Sequence, residues 1–205
     1  MLIEPVRCGD IEVQLARPEA ADLADLLDAA IEEAPYWAEL WPSARALGEV
    51  VAARDVTDLR VLEVGCGLAL PALVAAARGG DTIASDVDAA PLAYVAASAR
   101  ATGLELRTRV LDFAAPPDRL DPVDLVLAAD VLYVDASAAH LAAALPALLA
   151  PRGRALLTCP WRGQADRLAA ALPPAIAVAR RDAVGTTSFR GAAMRVDVLE
   201  LARPG

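Results

Sequence analysis

The chain has 205 residues, a formal net charge of −9 and an apolar fraction of 57%, of which little is aromatic. This length and composition predict one soluble α/β domain that buries a full core without metal or disulfide support. The negative charge disfavours a nucleic-acid substrate, since phosphate binding needs a basic face. All 19 basic residues are arginine, which excludes a P-loop lysine, a Schiff-base lysine and a lysine general base.

Cysteine usage and hydropathy indicate the compartment. Cys8, Cys66 and Cys159 show no metal-ligand spacing, and their odd number argues against a disulfide framework. No apolar run approaches the ~18–20 residues of a membrane span, and charges come too early in residues 1–10 for a signal peptide. We therefore expect a monomeric, cytoplasmic protein with no membrane partner and no metal site.

The N-terminal part of the chain is predicted to form a small extension of strands and helices. Residues 2–6 and 11–15 alternate apolar and polar side chains, which predicts an antiparallel hairpin. An amphipathic helix is expected between Pro18 and Pro35, with leucines on one face and acids on the other. After the aromatic-rich stretch 36–43, a second helix is expected.

From Leu59 onward, apolar strands alternate with helices. Strands are predicted near 60–64, 81–85, 105–110, 123–129 and 153–159, and helices near 70–78, 89–101, 136–150 and 164–171. Such alternation builds right-handed βαβ units and a parallel sheet covered on both faces. The last two strands, near 175–181 and 193–201, are separated only by a loop over 182–191, which predicts an antiparallel hairpin at one edge.

These elements predict a Rossmann-like α/β fold. The expected sheet is doubly wound, seven-stranded and mostly parallel, with an antiparallel C-terminal strand, and a small N-terminal extension of strands and helices adjoins it. No linker, repeat or low-complexity segment divides the chain. We expect residues 1–205 to form one domain, with a cap over 1–55 and the Rossmann-like core over 56–205.

A glycine turn links the first strand of the core to its helix. Glu63 ends the strand, and Gly65, Cys66 and Gly67 form the turn just ahead of a helix that begins at Leu70. Glycines at such a turn let a ligand lie against bare backbone, and the helix N-terminus adds free N–H groups and a positive dipole end. The turn therefore predicts a nucleotide-like cofactor.

Polar and aromatic side chains follow the next three strands, at the edge where a doubly wound sheet binds its ligand. Asp86 ends the second strand, where a carboxylate can bind two ribose hydroxyls. Asp112 and Phe113 follow the third strand and suit the amino group and ring face of adenine. Asp130 and Tyr133 follow the fourth strand, so an acid and a phenol are expected at the same crevice.

Two cofactor classes compete for this crevice. A nicotinamide dinucleotide calls for G-x-G-x-x-G, but Leu70 stands at the third glycine position. S-adenosyl-L-methionine has no phosphate and calls for an acid near the turn, an acid after the second strand and an adenine pocket after the third. Glu63, Asp86 and Asp112 with its aromatic neighbour meet these needs. We expect S-adenosyl-L-methionine and methyltransferase activity, with an NAD-dependent enzyme or a cofactor-binding protein without turnover as alternatives.

The order of elements over residues 36–201 resembles the class I, seven-strand S-adenosylmethionine-dependent methyltransferases. Within them the chain is similar to the family-16 group, which includes protein-lysine methyltransferases and nicotinamide N-methyltransferase-like proteins. The stretch Pro35–Pro42, PYWAELWP, most resembles the lysine methyltransferase of the electron-transfer flavoprotein β subunit and its bacterial relatives. Two positions depart from the pattern. Ala69 replaces a usual third glycine, and Phe113 stands where many relatives have tryptophan.

This resemblance implies roles for individual residues. It implies cofactor contacts from Trp41, Gly65, Cys66, Gly67, Asp86, Phe113 and Ala129. It also implies a substrate role for the Asp130-x-x-Tyr133 motif. The sulfonium is already activated, so no covalent nucleophile and no metal is needed. We expect Asp130 to attract an amine and help to remove its proton, while Tyr133 orients the nitrogen.

The expected acceptor is an amine, in the first place a protein lysine side chain, with a small-molecule nitrogen as the alternative. Amino-methyltransferases that act on nucleic-acid bases carry an acid or asparagine, two prolines and an aromatic residue after the fourth strand. Here the sequence is Asp130-Val131-Leu132-Tyr133, which argues against base methylation. The expected partner is a protein substrate or a small amine, and no nucleic acid.

Overall fold

The computed structural model describes residues 1–19, 36–115, 120–134, 136–160, 162–188 and 191–204. The helix predicted between Pro18 and Pro35 lies almost wholly outside these residues. At the N-terminus, strands β1 (Leu2–Cys8) and β2 (Ile11–Arg17) pair antiparallel around a turn in which Gly9 has a φ of +56°. The predicted N-terminal hairpin is confirmed, and each strand is longer than expected.

Seven further strands form the main sheet. They are β3 (Arg60–Glu63), β4 (Asp81–Asp86), β5 (Arg107–Val110), β6 (Val123–Ala129), β7 (Leu149–Cys159), β8 (Ala177–Thr187) and β9 (Ala193–Ala202). Their order across the sheet is β5-β4-β3-β6-β7-β9-β8, and the pairs among β3 to β7 are parallel. β9 pairs antiparallel with both β7 and β8. The predicted α/β fold, with a mostly parallel sheet and an antiparallel C-terminal strand, is confirmed.

Five helices within the described residues cover the two faces of this sheet. They are α1 (Pro42–Ala52), α2 (Leu70–Ala77), α3 (Ala90–Thr102), α4 (Ser137–Leu148) and α5 (Arg162–Ala171). Proline lies in the first turn of α1, α2 and α3, where its missing N–H breaks no helical hydrogen bond. Buried leucines of α4 and α5 pack on one face, and those of α1 and α2 pack on the other.

The N-terminal hairpin is held on the second of these faces by α3. The amide of Ala16 donates to the Ser98 hydroxyl over 2.8 Å, and the amide of Gln14 donates to the Thr102 hydroxyl over 2.9 Å. These side-chain acceptors satisfy amides on the open edge of a two-stranded sheet, which would otherwise lack partners. The hairpin is therefore part of the packed structure of the core.

The prediction of a loop over residues 182–191 is wrong, because strand structure extends into this range. β8 continues to Thr187, which pairs with Ala193 of β9. The β-branched residues Val184, Thr186 and Thr187 favour the extended backbone, which explains the longer strand. β7 ends at Cys159, opposite Asp197, so the hairpin of β8 and β9 projects past β7 by about four residues on each strand. We call residues 184–187 and 193–196 the hairpin overhang.

An ion pair network joins the last strand to two other elements. Glu200 of β9 is buried and accepts hydrogen bonds from Arg54, over 2.8 Å, and from Arg154 of β7. The hydrogen bond from Arg54 is the main cause that lowers the pKa of Glu200 below its usual range. Because this acid is ionised and paired in the folded state, it stabilises the fold at neutral pH.

We expect Glu200→Gln to lower the free energy of unfolding by about 1–2 kcal/mol at neutral pH, a discounted value because both arginines are partly exposed. The lowered pKa belongs to the folded state, so this stabilisation is lost as the pH falls through it, and the two proteins should converge in acid. Urea unfolding at neutral pH and in acid measures the difference in the free energy of unfolding between the two proteins. Glu105→Gln, which changes an exposed glutamate, is the matched control. An equal loss at both pH values would contradict the ion-pair explanation.

Candidate active site

The carboxyl ends of β3, β4 and β6 meet at one edge of the sheet, and the glycine turn lies there. Gly65 and Gly67 have φ values of +59° and +49°, which L-residues rarely adopt. A Cβ on Gly65 would lie 2.7 Å from Cγ1 of Val131, and a Cβ on Gly67 would lie 3.3 Å from the Trp37 carbonyl oxygen. Glycine is required at both positions, because the turn is packed between the segment after β6 and the 3-10 turn Tyr36–Ala38.

Ala69, which stands where the resemblance implies a third glycine, adopts a left-handed backbone conformation. Ala69 precedes α2 with a left-handed φ of +57° and is almost fully buried. An L-residue in this conformation costs about 1–2 kcal/mol relative to a glycine. The glycine that the family resemblance implies here would suit the backbone better, so this chain holds its turn in a strained form.

Glu63 lies underneath the turn. Its side chain is 0% exposed, and its Oε2 accepts the N–H of Ala72 in the first turn of α2 over 2.8 Å. Its second oxygen, Oε1, is buried without a hydrogen-bond partner. Burial raises the pKa of Glu63 to about 8, so this carboxyl is mostly protonated at neutral pH. The sequence places Glu63 beside the turn, and the structure shows that its carboxyl does not reach the surface.

Asp86 lies beside the turn at the end of β4. Its Oδ2 accepts the N–H of Gly67 over 2.9 Å, and its Oδ1 accepts the N–H of Asp88 over 3.1 Å. Burial raises the pKa of Asp86, although these hydrogen bonds oppose the rise. Two ionised oxygens have about four lone-pair sites, so this carboxylate keeps acceptor capacity for hydroxyl groups.

Cys66 contributes backbone to the turn. Its amide donates to the Ser85 carbonyl over 2.9 Å, and this bond ties the turn to the end of β4. Burial raises the pKa of its thiol well above the usual range, and the nearby Glu63 and Asp86 carboxyls raise it further. The thiol therefore stays neutral and does not act as a nucleophile.

Asp112 and Phe113 follow β5 at the same edge. The amide of Leu111 donates to the Asp86 carbonyl over 2.8 Å, which continues the pairing of β4 and β5 and brings the next two residues towards the cleft. Asp112 is exposed and accepts the N–H of Ala114 over 2.8 Å, so it also closes a turn. Phe113 is half-buried against the apolar core.

The aromatic stretch before α1 covers the turn from outside. Trp41 donates its indole N–H to the Tyr36 carbonyl over 2.7 Å and thereby closes the 3-10 turn. The ring of Trp37 packs against Tyr94 of α3, with ring centroids 5.5 Å apart, and its backbone lies over Gly67. Sequence reasoning missed this backbone contact, because no side-chain pattern signals it.

Asp130 is held in an unusual conformation after β6. Its φ is +59°, and its amide donates to the Thr158 carbonyl of β7 over 2.9 Å. Burial raises the pKa of Asp130 to about 6, and the hydroxyl of the fully buried Ser43 partly offsets this rise. The residue is half-buried, and its carboxyl is mostly ionised at neutral pH. Ser43 lies in the first turn of α1, and sequence reasoning missed it.

The remaining predicted residues of this segment lie on either side of Asp130. Ala129, the last residue of β6, is half-buried. Tyr133 is 68% exposed, and Val134 beside it is 54% exposed. The segment thus changes within a few residues from buried strand to an open, partly apolar surface.

The hairpin overhang contacts the start of α1. The hydroxyl of Thr186 lies 3.4 Å from the carbonyl oxygen of Pro42, the first residue of α1. A shallow depression of about 410 Å³ lies in the overhang, lined by Gly185, Thr186, Thr187, Ala193, Met194 and Arg195. Because Ser43 follows Pro42, the overhang and Asp130 flank the same helix start.

A second depression lies at the opposite edge of the sheet. Its volume is about 670 Å³, and its lining includes Arg54, Asp55 and Arg78, near the C-terminal ends of α1 and α2. Both arginines are already paired, Arg54 with Glu200 and Arg78 with Asp10. We therefore place the candidate site at the carboxyl ends of the strands, where the acids and the glycine turn lie, and not in this larger depression.

Two absences concern the described part of the chain only. Within it, no group of three or more histidine, cysteine, aspartate or glutamate side chains could hold a metal ion. Among the described helices, none is long and apolar enough to cross a membrane. The monomeric state, the cytoplasmic location and the division of the domain stay predictions.

Comparison with known proteins agrees with this geometry. Residues 61–153 match the family model described as a methyltransferase domain. No curated protein matches the chain. The protein is similar to TrmN from Thermus thermophilus, with 27% identity and a TM-score of 0.63 over 78% of this chain and 48% of TrmN. This chain thus spans about half of the length of TrmN.

Two further solved structures share the fold. Magnesium protoporphyrin IX methyltransferase (ChlM) from Synechocystis PCC 6803, with bound SAM, has 20% identity and a TM-score of 0.61 over 78% of this chain and 79% of its own. The 16S rRNA N2 G1207 methyltransferase RsmC from T. thermophilus has 15% identity and a TM-score of 0.66 over 100% of this chain and 50% of its own. The named acceptors of these two proteins differ, so the fold does not specify the acceptor.

Proposed function

We propose that this chain, an S-adenosyl-L-methionine-dependent methyltransferase by its domain match and its fold, methylates an amine, specifically a protein lysine side chain. The observation that supports the acceptor class is Asp130. This half-buried carboxyl follows the end of β6, and no basic group of the described residues shifts its pKa. An ionised acid without a basic neighbour attracts a cationic amine.

The residues around the turn fit the cofactor. Glu63 and Asp86 are buried carboxyls, and no arginine contributes to their pKa shifts. The cofactor is a cation with an ammonium group, a sulfonium and ribose hydroxyls, so it offers positive charge and donors to these acceptors. We propose that Gly65, Cys66 and Gly67 support its methionine part, that Asp86 binds the ribose, and that Asp112, Phe113, Trp41 and Ala129 line the remainder.

When bound, S-adenosyl-L-methionine supplies a methyl group on a positively charged sulfur. Asp130 accepts a hydrogen bond from the acceptor ammonium and stabilises it at the cleft, and Tyr133 orients the nitrogen. One proton would first leave the ammonium for solvent, by way of the Asp130 carboxylate, and this frees the nitrogen lone pair. That lone pair would then take the methyl group as the S–C bond breaks, with the S–C electron pair left on sulfur.

The openness of the edge supports a macromolecular acceptor. Tyr133 and Val134 are more than half exposed, so both side chains are open to a large partner. A small substrate is usually bound in a pocket that buries most of its surface, whereas a lysine side chain arrives with a protein surface that excludes water from one side. The net charge of −9 favours a basic protein surface over a nucleic acid.

Isotopically labelled S-adenosyl-L-methionine and a desalted lysate test the acceptor. We expect mass spectrometry to find labelled methyl-lysine in lysate protein, and at least about 100-fold slower labelling when Asp130→Asn replaces the wild type. The chain has no lysine, so label on its own side chains, in the 21.3 kDa band, would contradict lysine specificity. Label found only in RNA, or only in small molecules added back to the lysate, would contradict a protein acceptor.

A further inference from the structure

Glu63 and Asp86 form a buried acidic pair that lacks a counter-charge. Glu63 is 0% exposed and Asp86 is 8% exposed. The hydrogen bonds to their carboxyl oxygens in the described structure come from backbone amides, those of Ala72, Gly67, Asp88 and Val87. One oxygen, Oε1 of Glu63, is fully buried and has no partner. Buried carboxyls in proteins are normally paired with a cation or a metal, so this arrangement is incomplete.

The elements around Glu63 supply no positive charge. Helix α2, which packs directly over it, consists of the uncharged sequence LPALVAAA. The other acids of β4 and β6, Asp81 and Asp124, lie at the opposite ends of their strands and are paired with Arg107 and Arg60. The remaining titratable groups near the pair, Cys66 and Asp88, are neutral or negative. No described residue therefore supplies the missing counter-charge, and a bound cation can supply it.

We infer that Glu63 senses the charge of the bound cofactor by exchanging a proton with solvent. In the free protein Glu63 is protonated, it ionises when the positively charged sulfonium form is bound, and it takes a proton back when the neutral thioether product replaces that form. The inference rests on S-adenosyl-L-methionine as the cofactor and is independent of the acceptor. It makes Glu63 a determinant of the preference for substrate over product.

The direction of proton exchange on ligand binding follows from the change in the pKa of Glu63. The pKa of Glu63 is raised to about 8 in the free protein, mainly by burial and secondarily by Asp86. A nearby positive charge favours the ionised acid and lowers this pKa, so the substrate binds with proton release below about pH 8. The product S-adenosyl-L-homocysteine has the same ammonium and carboxylate but lacks the sulfonium charge. Its binding should release fewer protons.

This linkage has a measurable consequence for affinity. If one proton distinguishes the two ligands, the ratio of the product dissociation constant to the substrate dissociation constant rises at most about tenfold per pH unit. Between about pH 6.5 and pH 8 we expect this ratio to increase about tenfold. The preference for the substrate form is therefore strongest at the upper end of this range, and loss of the charge on turnover weakens binding and assists product release.

Isothermal titration calorimetry of the purified protein tests the inference directly. Titrations with S-adenosyl-L-methionine and with S-adenosyl-L-homocysteine, each in two buffers of different ionisation enthalpy, count the protons released. We expect the substrate to release up to one proton more than the product near neutral pH. Glu63→Gln keeps a carbonyl oxygen for the Ala72 amide but cannot titrate. In this variant the difference between the ligands should vanish, and the ratio of dissociation constants should not change with pH.

Asp88→Asn is the matched control, since it removes a charge from the same edge at an exposed residue and keeps an acceptor for the Ala90 amide. It should retain the proton difference. Equal proton release by both ligands in the wild type, or an unchanged difference in Glu63→Gln, would overturn the role of Glu63. Failure of both ligands to bind the wild type would instead overturn the cofactor assignment, and the inference with it.

Folding of Glu63→Gln is checked by its thermal unfolding without ligand. The raised pKa of Glu63 means that its contribution to stability is present in acid and is lost as the pH rises from about 4.5 towards 8. We therefore expect the variant to melt at a higher temperature than the wild type above pH 8. A lower melting temperature throughout this alkaline range would contradict a protonated, buried Glu63.

Discussion

Asp130→Asn is expected to reduce kcat at least about 100-fold and to leave the dissociation constant for S-adenosyl-L-methionine within about twofold of the wild type. The carboxylate is lost where the acceptor ammonium is proposed to bind, whereas the glycine turn and Asp86 are unchanged. Asparagine is the suitable replacement because it tolerates the φ of +59° at this position, which alanine would occupy under strain. Steady-state kinetics and calorimetry measure the two quantities.

The pH profile gives this substitution a second, independent measurement. The pKa of Asp130 is raised to about 6 by burial, and the ionised form is the proposed active one. The kcat/KM of the wild type should therefore rise as the pH increases through about 6, and this step should be missing from the residual activity of Asp130→Asn. Asp88→Asn is the control for loss of an acid at the same edge. Equal losses of catalysis and cofactor affinity would contradict an acceptor role for Asp130.

Asp86→Asn is expected to weaken S-adenosyl-L-methionine binding by about 30- to 100-fold, which corresponds to about 2–3 kcal/mol for charge-assisted hydrogen bonds to hydroxyl groups. Asparagine keeps one oxygen to accept the Gly67 amide, so the turn retains part of its support. Asparagine lacks the second carboxylate oxygen, which accepts the hydrogen bond from the Asp88 amide in the wild type. The free energy of unfolding should therefore change by about 1–2 kcal/mol at most. Calorimetry and urea unfolding measure the two effects separately.

The size of the two effects distinguishes a ligand-binding acid from a structural one. Burial raises the pKa of Asp86, so its charge opposes the stability of the free protein at neutral pH, and its removal is tolerated by the fold. A structural acid would show the reverse pattern, as we expect for Glu200. Unchanged cofactor affinity in Asp86→Asn, with a large loss of stability, would remove Asp86 from the ribose-binding role.

Much of the site could be predicted from the sequence because parallel strands end at a common edge. The turn at Gly65–Gly67 and the acids Asp86 and Asp130 each follow an apolar run, and the topology brings such residues together whatever their spacing along the chain. The same argument correctly placed the antiparallel last strand. It failed for the loop at 182–191, because pairing with β9 stabilises strand structure as far as Thr187.

Other parts of the site depend on contacts between residues far apart in sequence. Ser43 lies near Asp130 because α1 begins beside the ends of β6 and β7, where the Thr158 hydroxyl donates to the Ser43 carbonyl over 2.8 Å. The backbone of Trp37 covers Gly67 because the 3-10 turn closes over the cleft. No local pattern signals either contact.

The sequence by itself determined the class of fold and the class of cofactor, and it predicted the edge at which the candidate site lies. These follow from periodicity, from strand order and from the types of residue at strand ends, which are local properties. Only the tertiary structure decided that Glu63 is buried beneath the turn with an unpaired oxygen, whereas Asp86 and Asp130 stand beside the cleft. The physical reason is that burial and electrostatic environment belong to the packed molecule. The same carboxyl can be a neutral, proton-exchanging group or an ionised ligand, depending on which helix packs over it.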